Sequence, residues 1–296
     1  MQYTEISFPG LGIEINPGRA LDLGFMQINY YGLIIAIGLA LAAIYGLRRC
    51  NQLRFKQDDV IDGALMIIPF AIICTRLYYC AFQWEHYKDN PISILYIWEG
   101  GLAIYGGVIG AVIGIIAYCA YKKISIFAAF DMVGISFLIG QMIGRWGNFF
   151  NREAFGSATD GFLRMGLFNT YTQSWEYHHP TFLYESLWNA AGFVLLHFLS
   201  KKRQYDGQIA LGYAAWYGLG RTFIEGLRTD SLYIGSTNLR VSQLLAALSC
   251  VVAVAVLLAM SFKTHSKSKL YVNQVVLDEE DEEDEEEEAE AEEAEE

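Results

Sequence analysis

Cysteine is scarce in this chain, and its spacing excludes the sites that depend on paired thiols. Only five of the 296 residues are cysteine, and each stands alone in the sequence. Metal and redox sites instead place cysteines in closely spaced pairs. The N-terminal stretch also lacks a basic region followed by an apolar core, so we predict no cleavable signal peptide. No nucleic-acid motif is visible, and we expect no metal, no cofactor and no nucleic-acid partner.

Long apolar runs are what the sequence has instead. Hydrophobic residues make up 53% of the chain, and several separate runs exceed the roughly 18 apolar residues that a membrane span requires. The predicted spans are residues 25–48, 58–82, 100–121, 126–148, 180–200, 207–226 and 240–262. We therefore predict an all-α fold, a polytopic integral membrane protein with about seven transmembrane helices in a lipid bilayer.

The basic residues predict how these helices are oriented. Cytoplasmic loops are enriched in lysine and arginine, and the segments after spans one, three, five and seven are basic. Those residues are Arg48, Arg49, Arg54 and Lys56, then Lys122 and Lys123, then Lys201, Lys202 and Arg203, then Lys263, Lys267 and Lys269. We therefore expect the N-terminus outside and the C-terminus in the cytoplasm. Four tryptophans fall near the predicted outer boundary, as interfacial residues do, namely Trp84, Trp98, Trp146 and Trp175.

The negative charge of the chain is concentrated at its C-terminus. Residues 278–296 contain 16 of the 33 acidic residues, so the remainder carries 17 acidic against 21 basic residues. We interpret this acidic tail as disordered and solvated, and an interaction tail is the alternative. The predicted parts are an external N-terminal segment (1–24), a transmembrane domain (25–262) that includes an external segment (149–179), and a cytoplasmic tail (263–296), acidic from residue 278.

Five polar side chains are predicted to lie at a similar depth, just beneath the outer surface. At about 1.5 Å of rise per residue, Tyr31 lies about 9 Å into span one and Tyr105 about 8 Å into span three. Arg145, Arg221 and Glu225 fall in the outer parts of spans four and six. Because ionisable side chains are costly in a membrane unless they face a cavity or a partner, these positions predict a functional site.

Span six presents a polar stripe with two interpretations. Tyr217, Arg221, Glu225 and Arg228 follow steps of four, four and three, so they share one helical face. An internal Arg–Glu pair that only stabilises the helix is one interpretation. A surplus of arginine at this level, to which Arg145 adds, favours an anionic ligand.

The stretch GRWGNFFNREAFG, Gly144–Gly156, follows at the outer end of span four. It places Arg145, Asn148, Asn151 and Glu153 close together in the sequence. A guanidinium group binds oxyanions through two hydrogen bonds, and amides complete the coordination, so this composition suits a phosphate. An ordinary polar helix terminus explains the composition equally well.

Two further side chains admit several roles. Tyr105 is an interfacial aromatic residue, a hydrogen-bond donor or a weak acid. It lies beside three glycines whose spacing of four residues favours close helix packing, namely Gly106, Gly110 and Gly114. His179 precedes Pro180, which suits the first turn of span five. It is either a base or donor at the outer surface or a solvated, structural histidine.

Taken together, these stretches resemble the prolipoprotein diacylglyceryl transferase family of bacteria, from Tyr30 through span seven. The most specific motif is GRWGNFFNREAFG, and the supporting motifs are GGLAIYGG, HPTFLYES, YGLGRTFIEGLR and RVSQLL. The resemblance implies a seven-helix enzyme of the bacterial cytoplasmic membrane. It implies that this enzyme transfers the diacylglyceryl group of phosphatidylglycerol to the lipobox cysteine of a prolipoprotein, forming a thioether and releasing glycerol phosphate.

The resemblance also implies roles for the matching residues. It implies that Arg145 binds the phosphatidylglycerol head group, that Arg221 binds the phosphate and that Glu225 orients Arg221. It also implies that Asn148, Asn151 and Glu153 shape the binding pocket and that Tyr31 contributes a hydrogen bond. Some members of the family have histidine where this sequence has Tyr105, and a phenol with a pKa of about 10 is a poor base. We therefore expect Tyr105 to donate a hydrogen bond while the cationic field lowers the thiol pKa; Glu153 or His179 is the alternative proton acceptor.

Two other functions are weighed against this one. A transporter or channel for an organic anion would also place arginines near the outer leaflet. A metal-dependent head-group transferase is suggested by DDVIDG, Asp58–Gly63, but that cluster lies at the predicted cytoplasmic face. An Asp58 that begins a helix is the simpler explanation of the motif.

Overall fold

The computed structural model describes residues 2–24, 26–97, 100–233, 237 and 239–275, without the side chain of residue 51. Helices dominate these residues, as the long apolar runs predict. They are α1 (Tyr30–Leu53), α2 (Gln57–Phe82), α3 (Trp84–Tyr87), α4 (Ile104–Lys122), α5 (Ile126–Asn151), α6 (Thr181–Ser200), α7 (Gln208–Glu225) and α8 (Val241–Ser261). The predicted acidic tail and Trp98 lie outside the described residues.

Within the described part of the chain, six helices are long and apolar enough to cross a membrane. These are α1 over Tyr30–Cys50, and α2, α4, α5, α6 and α8 over their full lengths. The chain is therefore a multi-pass membrane protein by the length and composition of its helices. The one predicted span not among these six is span six (207–226), which corresponds to α7, whose 18 residues include the polar stripe of Arg221 and Glu225.

Six strands accompany the helices, and an all-α class does not account for them. They are β1 (Tyr3–Phe8), β2 (Ile13–Ile15), β3 (Ala20–Asp22), β4 (Gln27–Asn29), β5 (Met165–Asn169) and β6 (Ser174–His178). Four of them form an antiparallel sheet in the order β2-β1-β5-β6, and β3 pairs with β4. The predicted external segments thus form one sheet, in which Ile6 pairs with Ile15 on one side and Leu167 on the other.

Two helix starts differ from the prediction for local reasons. Span one was predicted to begin at residue 25, but residues 27–29 form strand β4 and α1 begins at Tyr30. Span three was predicted to begin at residue 100, but α4 begins at Ile104. Gly100 and Gly101 adopt φ angles of 91° and 69°, a left-handed conformation that delays the helix.

The chain forms two compact units, and the first comprises residues 1–46 and 131–267. Its sheet is covered by aromatic side chains from the end of α5 and the start of α6, among them Phe149 and Phe182.

The N-terminus of α7 is capped by Asp131 of α5, which is 2% exposed. The Asp131 carboxylate accepts hydrogen bonds from the backbone N–H groups of Gly207, Ile209 and Ala210 at 2.8–2.9 Å. These donors would otherwise be unsatisfied at a helix start.

The second unit comprises residues 47–130 and 268–296, and within it α2 packs against α4. A Cβ atom on Gly110 would lie 2.6 Å from the Cβ of Cys74, so glycine permits the close approach of the two helices. Two of the three acidic residues of the DDVIDG motif pair with Lys122, whose Nζ lies 2.6 Å from Asp59 and 3.9 Å from Asp62.

Candidate functional site

One buried carboxylate, that of Glu185 on α6, joins two arginines from other helices. Its Oε2 lies 2.6 Å from Nη2 of Arg145 on α5, and its Oε1 lies 2.6 Å from Nη1 of Arg221 on α7. Arg228 approaches the same Oε1 at 3.7 Å. Glu185 therefore holds two guanidinium groups, one on each carboxylate oxygen, and brings three helices together.

A second buried carboxylate, Glu225, holds the other side of Arg221. Its Oε2 lies 2.5 Å from Nη2 of Arg221 and 3.9 Å from Nε of Arg228. The guanidinium of Arg240 donates to the backbone oxygen of Glu225. We call these residues the arginine cluster: Arg145, Arg221, Arg228, Arg240, Glu185, Glu225 and Asp230.

Asp230 neutralises Arg228 at the edge of the cluster. Two hydrogen bonds of 2.6 and 2.9 Å run from the Arg228 guanidinium to this carboxylate. Burial raises the pKa of Asp230, but these hydrogen bonds and the positive charge of Arg228 together outweigh that effect and hold its pKa below the usual range. The cluster thus contains four arginines and three carboxylates, which leaves a net charge of +1.

The carboxylates of the cluster are buried more deeply than the guanidinium groups. The side chains of Glu185 and Glu225 are 4% and 2% exposed, whereas those of Arg145 and Arg221 are 22% and 15% exposed. Each guanidinium group has five N–H donors, more than these contacts use. The arrangement leaves Arg145 and Arg221 able to bind an anion while the glutamates orient them.

Reciprocal hydrogen bonds between two tryptophans align α6 with α7. The indole N–H of Trp188 donates to the backbone oxygen of Trp216, and the indole N–H of Trp216 donates to that of Trp188, both at 2.9 Å. The rings stack with centroids 4.5 Å apart. A Cβ on Gly192 or Gly220 would collide with the opposing indole, so the sequence provides the space that this pairing needs.

Hydrogen bonds also tie α5 to α6 near Arg145. Trp146 donates to the hydroxyl of Ser186 at 3.2 Å, and that hydroxyl donates to the backbone oxygen of Met142 at 2.8 Å. Ser186 follows Glu185 directly in the sequence. Trp146 likewise follows Arg145. The hydrogen bond between Trp146 and Ser186 thus holds α5 against α6 directly beside the ion pair of Arg145 and Glu185.

The polar residues of GRWGNFFNREAFG form a connected group beside Arg145. Arg145 donates to the side-chain oxygen of Asn148 at 3.3 Å, and the Asn148 amide donates to Glu153 at 3.0 Å. Asn151 donates to the same Glu153 oxygen at 3.3 Å. The chain turns back here because Arg152 and Ala154 adopt left-handed φ angles of 56° and 57°. These four polar side chains therefore line one end of α5.

Tyr31 lies close to this polar group. A Cβ on Gly147 would lie 2.8 Å from the Tyr31 ring, so α1 and α5 approach closely at this point. The Tyr31 phenol is near enough to Glu153 and Arg145 to interact electrostatically with both. The structure thus brings together the first-unit residues that the sequence predicts, except for His179.

His179 and Tyr105 occupy other surroundings. The ring of His179 pairs with the hydroxyl of Tyr184 at 3.3 Å, and among the described residues we find no hydrogen bond or ion pair from it to the arginines. Tyr105 lies in the first turn of α4, in the second unit. The preceding loop is held by Arg76, whose guanidinium donates to the backbone oxygens of Ser93, Ile94, Tyr96, Gly100 and Gly101.

Sequence reasoning missed Glu185, which pairs with three of the arginines of the cluster. The motif HPTFLYES contains it, and a carboxylate inside an apolar span was the available signal. Arg76 was missed as well, although it is an arginine within span two. Its contacts with five backbone oxygens make it a support for the loop before Tyr105.

Comparisons with known proteins identify the family of this chain. The family model described as prolipoprotein diacylglyceryl transferase matches residues 19–259. Proteins named phosphatidylglycerol–prolipoprotein diacylglyceryl transferase are similar to this chain. The one from Limosilactobacillus reuteri is 40% identical over 90% of this chain and 98% of its own length. The one from Enterococcus faecalis is 44% identical over 81% and 88%, respectively. This chain belongs to the prolipoprotein diacylglyceryl transferase family.

Proposed function

We propose that this protein transfers the diacylglyceryl group of phosphatidylglycerol to the thiol of the lipobox cysteine in a prolipoprotein. The bond between the glyceryl carbon and the phosphate oxygen breaks, and a bond between that carbon and the cysteine sulfur forms. The phosphate leaves as glycerol phosphate, and the thiol proton is released. The proposal rests on the family membership, on the names of the relatives and, above all, on the arginine cluster.

The charge of the cluster suits the proposed lipid. Phosphatidylglycerol carries one negative charge on its phosphodiester, and the cluster carries a net charge of +1 with Arg145 and Arg221 partly accessible. The N–H donors that Arg145 and Arg221 have to spare suit the oxygens of this phosphodiester. The relatives are named as transferases, which gives no support to the anion transporter.

The leaving phosphate gains negative charge as the carbon–oxygen bond breaks. Preoriented cationic donors stabilise such charge without having to reorganise during the reaction. We assign Arg145 to the head group and Arg221 to the phosphate, with Glu185 and Glu225 as positioning residues behind them. Asn148, Asn151 and Glu153 shape the pocket, and Tyr31 contributes a hydrogen bond.

The thiol has to lose its proton before it attacks, because the thiolate is the nucleophile. A positive field from the arginines lowers the pKa of a nearby thiol and favours the thiolate. Tyr105 supplies a hydrogen bond in this proposal, and His179 or Glu153 is the alternative proton acceptor. His179 is the weaker of the two alternatives because its described hydrogen bond is with Tyr184.

The proposed setting is the cytoplasmic membrane of a bacterium. In this setting α7 also crosses the membrane, which brings the number of spans to seven. Its 18 residues extend about 27 Å, close to the apolar thickness of a bilayer. The N-terminus lies outside and the C-terminus in the cytoplasm. The sheet and the arginine cluster then belong to the outer side, where an exported prolipoprotein presents its cysteine.

The decisive experiment is a transfer assay with purified protein, phosphatidylglycerol and a lipobox peptide. We expect the peptide to gain the mass of one diacylglyceryl group, and Arg145→Ala to lower the rate by about 100-fold or more. Arg164→Ala is the matched control, because Arg164 lies over the Tyr177 ring and donates to backbone oxygens of Asp160 and Gly161. A folded protein that gives no mass gain would overturn the proposal.

A further inference from the structure

A cation-lined cavity lies in the second unit, at the predicted cytoplasmic ends of its helices. Its volume is about 450 Å³, within the range of ligand sites. Three basic residues line it, Arg54, Lys56 and Lys122, against the single acidic residue Asp59. The cavity therefore favours an anionic occupant, and none of its residues belongs to the arginine cluster.

The ends of two helices place these cations at the cavity. Helix α1 is followed by Arg54 at a φ of 54°, and α4 is followed by Lys123 at a φ of 56°. In both helices the next N–H donates back to a carbonyl of the last turn, Phe55 to Cys50 and Ile124 to Cys119, which is the Schellman arrangement. Cations are favoured at these negative helix ends. Lys122 already binds the carboxylate of Asp59 at 2.6 Å, so the cavity accepts carboxylates.

The chain after α8 returns to this same cavity. Leu270 is 7% exposed, and the ring of Tyr271 stacks on Phe55 with centroids 5.2 Å apart. Tyr271 and Val275 both line the cavity. The last described residues are therefore fixed against its wall.

The acidic tail follows immediately. Asp278 is three residues beyond Val275, and an extended chain spans at most about 3.6 Å per residue, so the first carboxylates start within about 11 Å of the cavity wall. Sixteen of the 19 residues from 278 to 296 are acidic. Attachment at such short range raises the effective concentration of these carboxylates to the millimolar level or above, about what a short flexible linker provides.

We propose that the acidic tail, residues 278–296, folds back and docks in the cavity of Arg54, Lys56 and Lys122. The tail carboxylates pair with the cations and compete there with the phosphate head groups of the adjacent leaflet. This docking is independent of the proposed transferase activity, because none of the residues that line the cavity has a role in the transfer.

The test measures how fast individual lysines are acylated by a pulse of amine reagent, with mass spectrometry as the readout. The samples are the full chain, a variant with the tail acids replaced by Gln and Asn, and a chain ending at Leu277, each in nanodiscs of neutral phosphatidylcholine. Paired carboxylates both shield an ammonium group and keep it protonated. At low salt we therefore expect Lys56 to react at least about threefold more slowly in the full chain. The difference should vanish near 1 M salt, where the Debye length is about 3 Å.

Lys201 and Lys202 provide the internal control, because they belong to another basic loop. Their reactivity should not depend on the tail. Equal reactivity of Lys56 in all three samples would overturn the proposal. An equal slowing of Lys201 by the tail would also overturn it, because it would indicate a nonspecific polyanion effect. The same measurement in nanodiscs that contain an anionic lipid tests the other occupant: if Lys56 is protected only there, with or without the tail, the cavity is a lipid site and the proposal is wrong.

A second measurement uses the intact tail. Lys56→Glu places a negative charge in the cavity and should release the tail, so that a glutamate-specific protease removes it faster, by about threefold or more. Lys202→Glu is the matched charge reversal outside the cavity and should leave the cleavage rate unchanged. An unchanged cleavage rate in Lys56→Glu would contradict docking.

Discussion

Arg221 and Glu185 lie 36 residues apart in the chain and form an ion pair of 2.6 Å between α7 and α6. The same carboxylate also holds Arg145, so the loss of one negative charge removes an ion pair from each of two guanidinium groups. Glu185 is a positioning residue in our proposal, because it contacts the arginines and they contact the lipid. Its role can therefore be separated from that of the arginines by kinetics.

Replacing Glu185 by Gln should lower kcat more than it raises KM for phosphatidylglycerol. The amide keeps the shape of the side chain but no longer holds both arginines, so the charge stabilisation of the leaving phosphate falls, by about 100-fold in kcat. Steady-state kinetics per folded enzyme measure this split. Glu176→Gln, a change in the external sheet, is the control and should leave kcat unchanged. A normal kcat in Glu185→Gln would refute the positioning role.

Replacing Arg221 by Lys should abolish most of the activity although the charge is retained. Two different nitrogens of Arg221 contact Glu185 and Glu225, and a single ammonium group cannot reproduce this fork. We expect a loss of about 10- to 100-fold in kcat/KM, measured by transfer to a lipobox peptide. Arg164→Lys, made outside the cluster, should retain full activity. Full activity of Arg221→Lys would show that only its charge matters.

Replacing Tyr105 by Phe tests how the thiol proton is handled in the proposed mechanism. If Tyr105 only donates a hydrogen bond, its loss should lower kcat by about three- to tenfold, the value of one neutral hydrogen bond. Tyr105→His should restore or exceed the original rate near neutral pH, because imidazole is the better base. Undiminished activity of Tyr105→Phe would exclude both a proton-transfer and a hydrogen-bonding role.

The external sheet should lose stability in acid. Hydrogen bonds from Asn169 and Tyr3 hold the pKa of Glu176 below its ordinary value of 4.5. The resulting stabilisation is present above that ordinary pKa and is lost as the pH falls through the lower pKa of the folded state. Proteolysis of residues 152–179 as a function of pH measures this loss. Glu176→Gln should flatten the acid dependence, and an unchanged profile in that variant would contradict the assignment to Glu176.

Removing the cap of α7 should destabilise the protein. Asp131→Ala leaves three helix N–H groups without their acceptor, at a cost of about 1–3 kcal/mol. Asp131→Asn keeps one side-chain oxygen and should cost less. We expect the unfolding temperature, measured by thermal unfolding in detergent, to fall from the wild type to Asp131→Asn and then to Asp131→Ala. Equal stability of all three proteins would show that the cap contributes nothing.

Much of the helical part was predictable from the sequence because membrane spans need long apolar runs. The predicted spans 58–82 and 180–200 differ from α2 and α6 by one residue at their starts. The grouping of Arg145, Arg221 and Glu225 followed from counting residues along helices. The sheet was not predictable in this way, because β1 pairs with β5, more than 150 residues later in the chain. Such pairing depends on distant strands, and their short length gives little local signal.

The central position of Glu185 was also beyond the sequence argument. A carboxylate three residues after His-Pro-Thr-Phe has the same appearance in the sequence whether it faces lipid, water or two arginines. Only packing decides, and here it depends on Trp188, Trp216 and the glycines opposite them. Two glycines that read as ordinary apolar-span residues thus set the geometry of the charged cluster.

The reciprocal bonds between Trp188 and Trp216 have a consequence for how a lipid reaches the cluster. Sliding α6 along α7 by one helical turn is a shift of about 5.4 Å, which would break both indole hydrogen bonds and separate Glu185 from Arg221 together. The two helices therefore behave as a single rigid wall, and a lipid with two acyl chains has to enter through movement elsewhere. Labels that report opening should accordingly be placed on helices other than this pair.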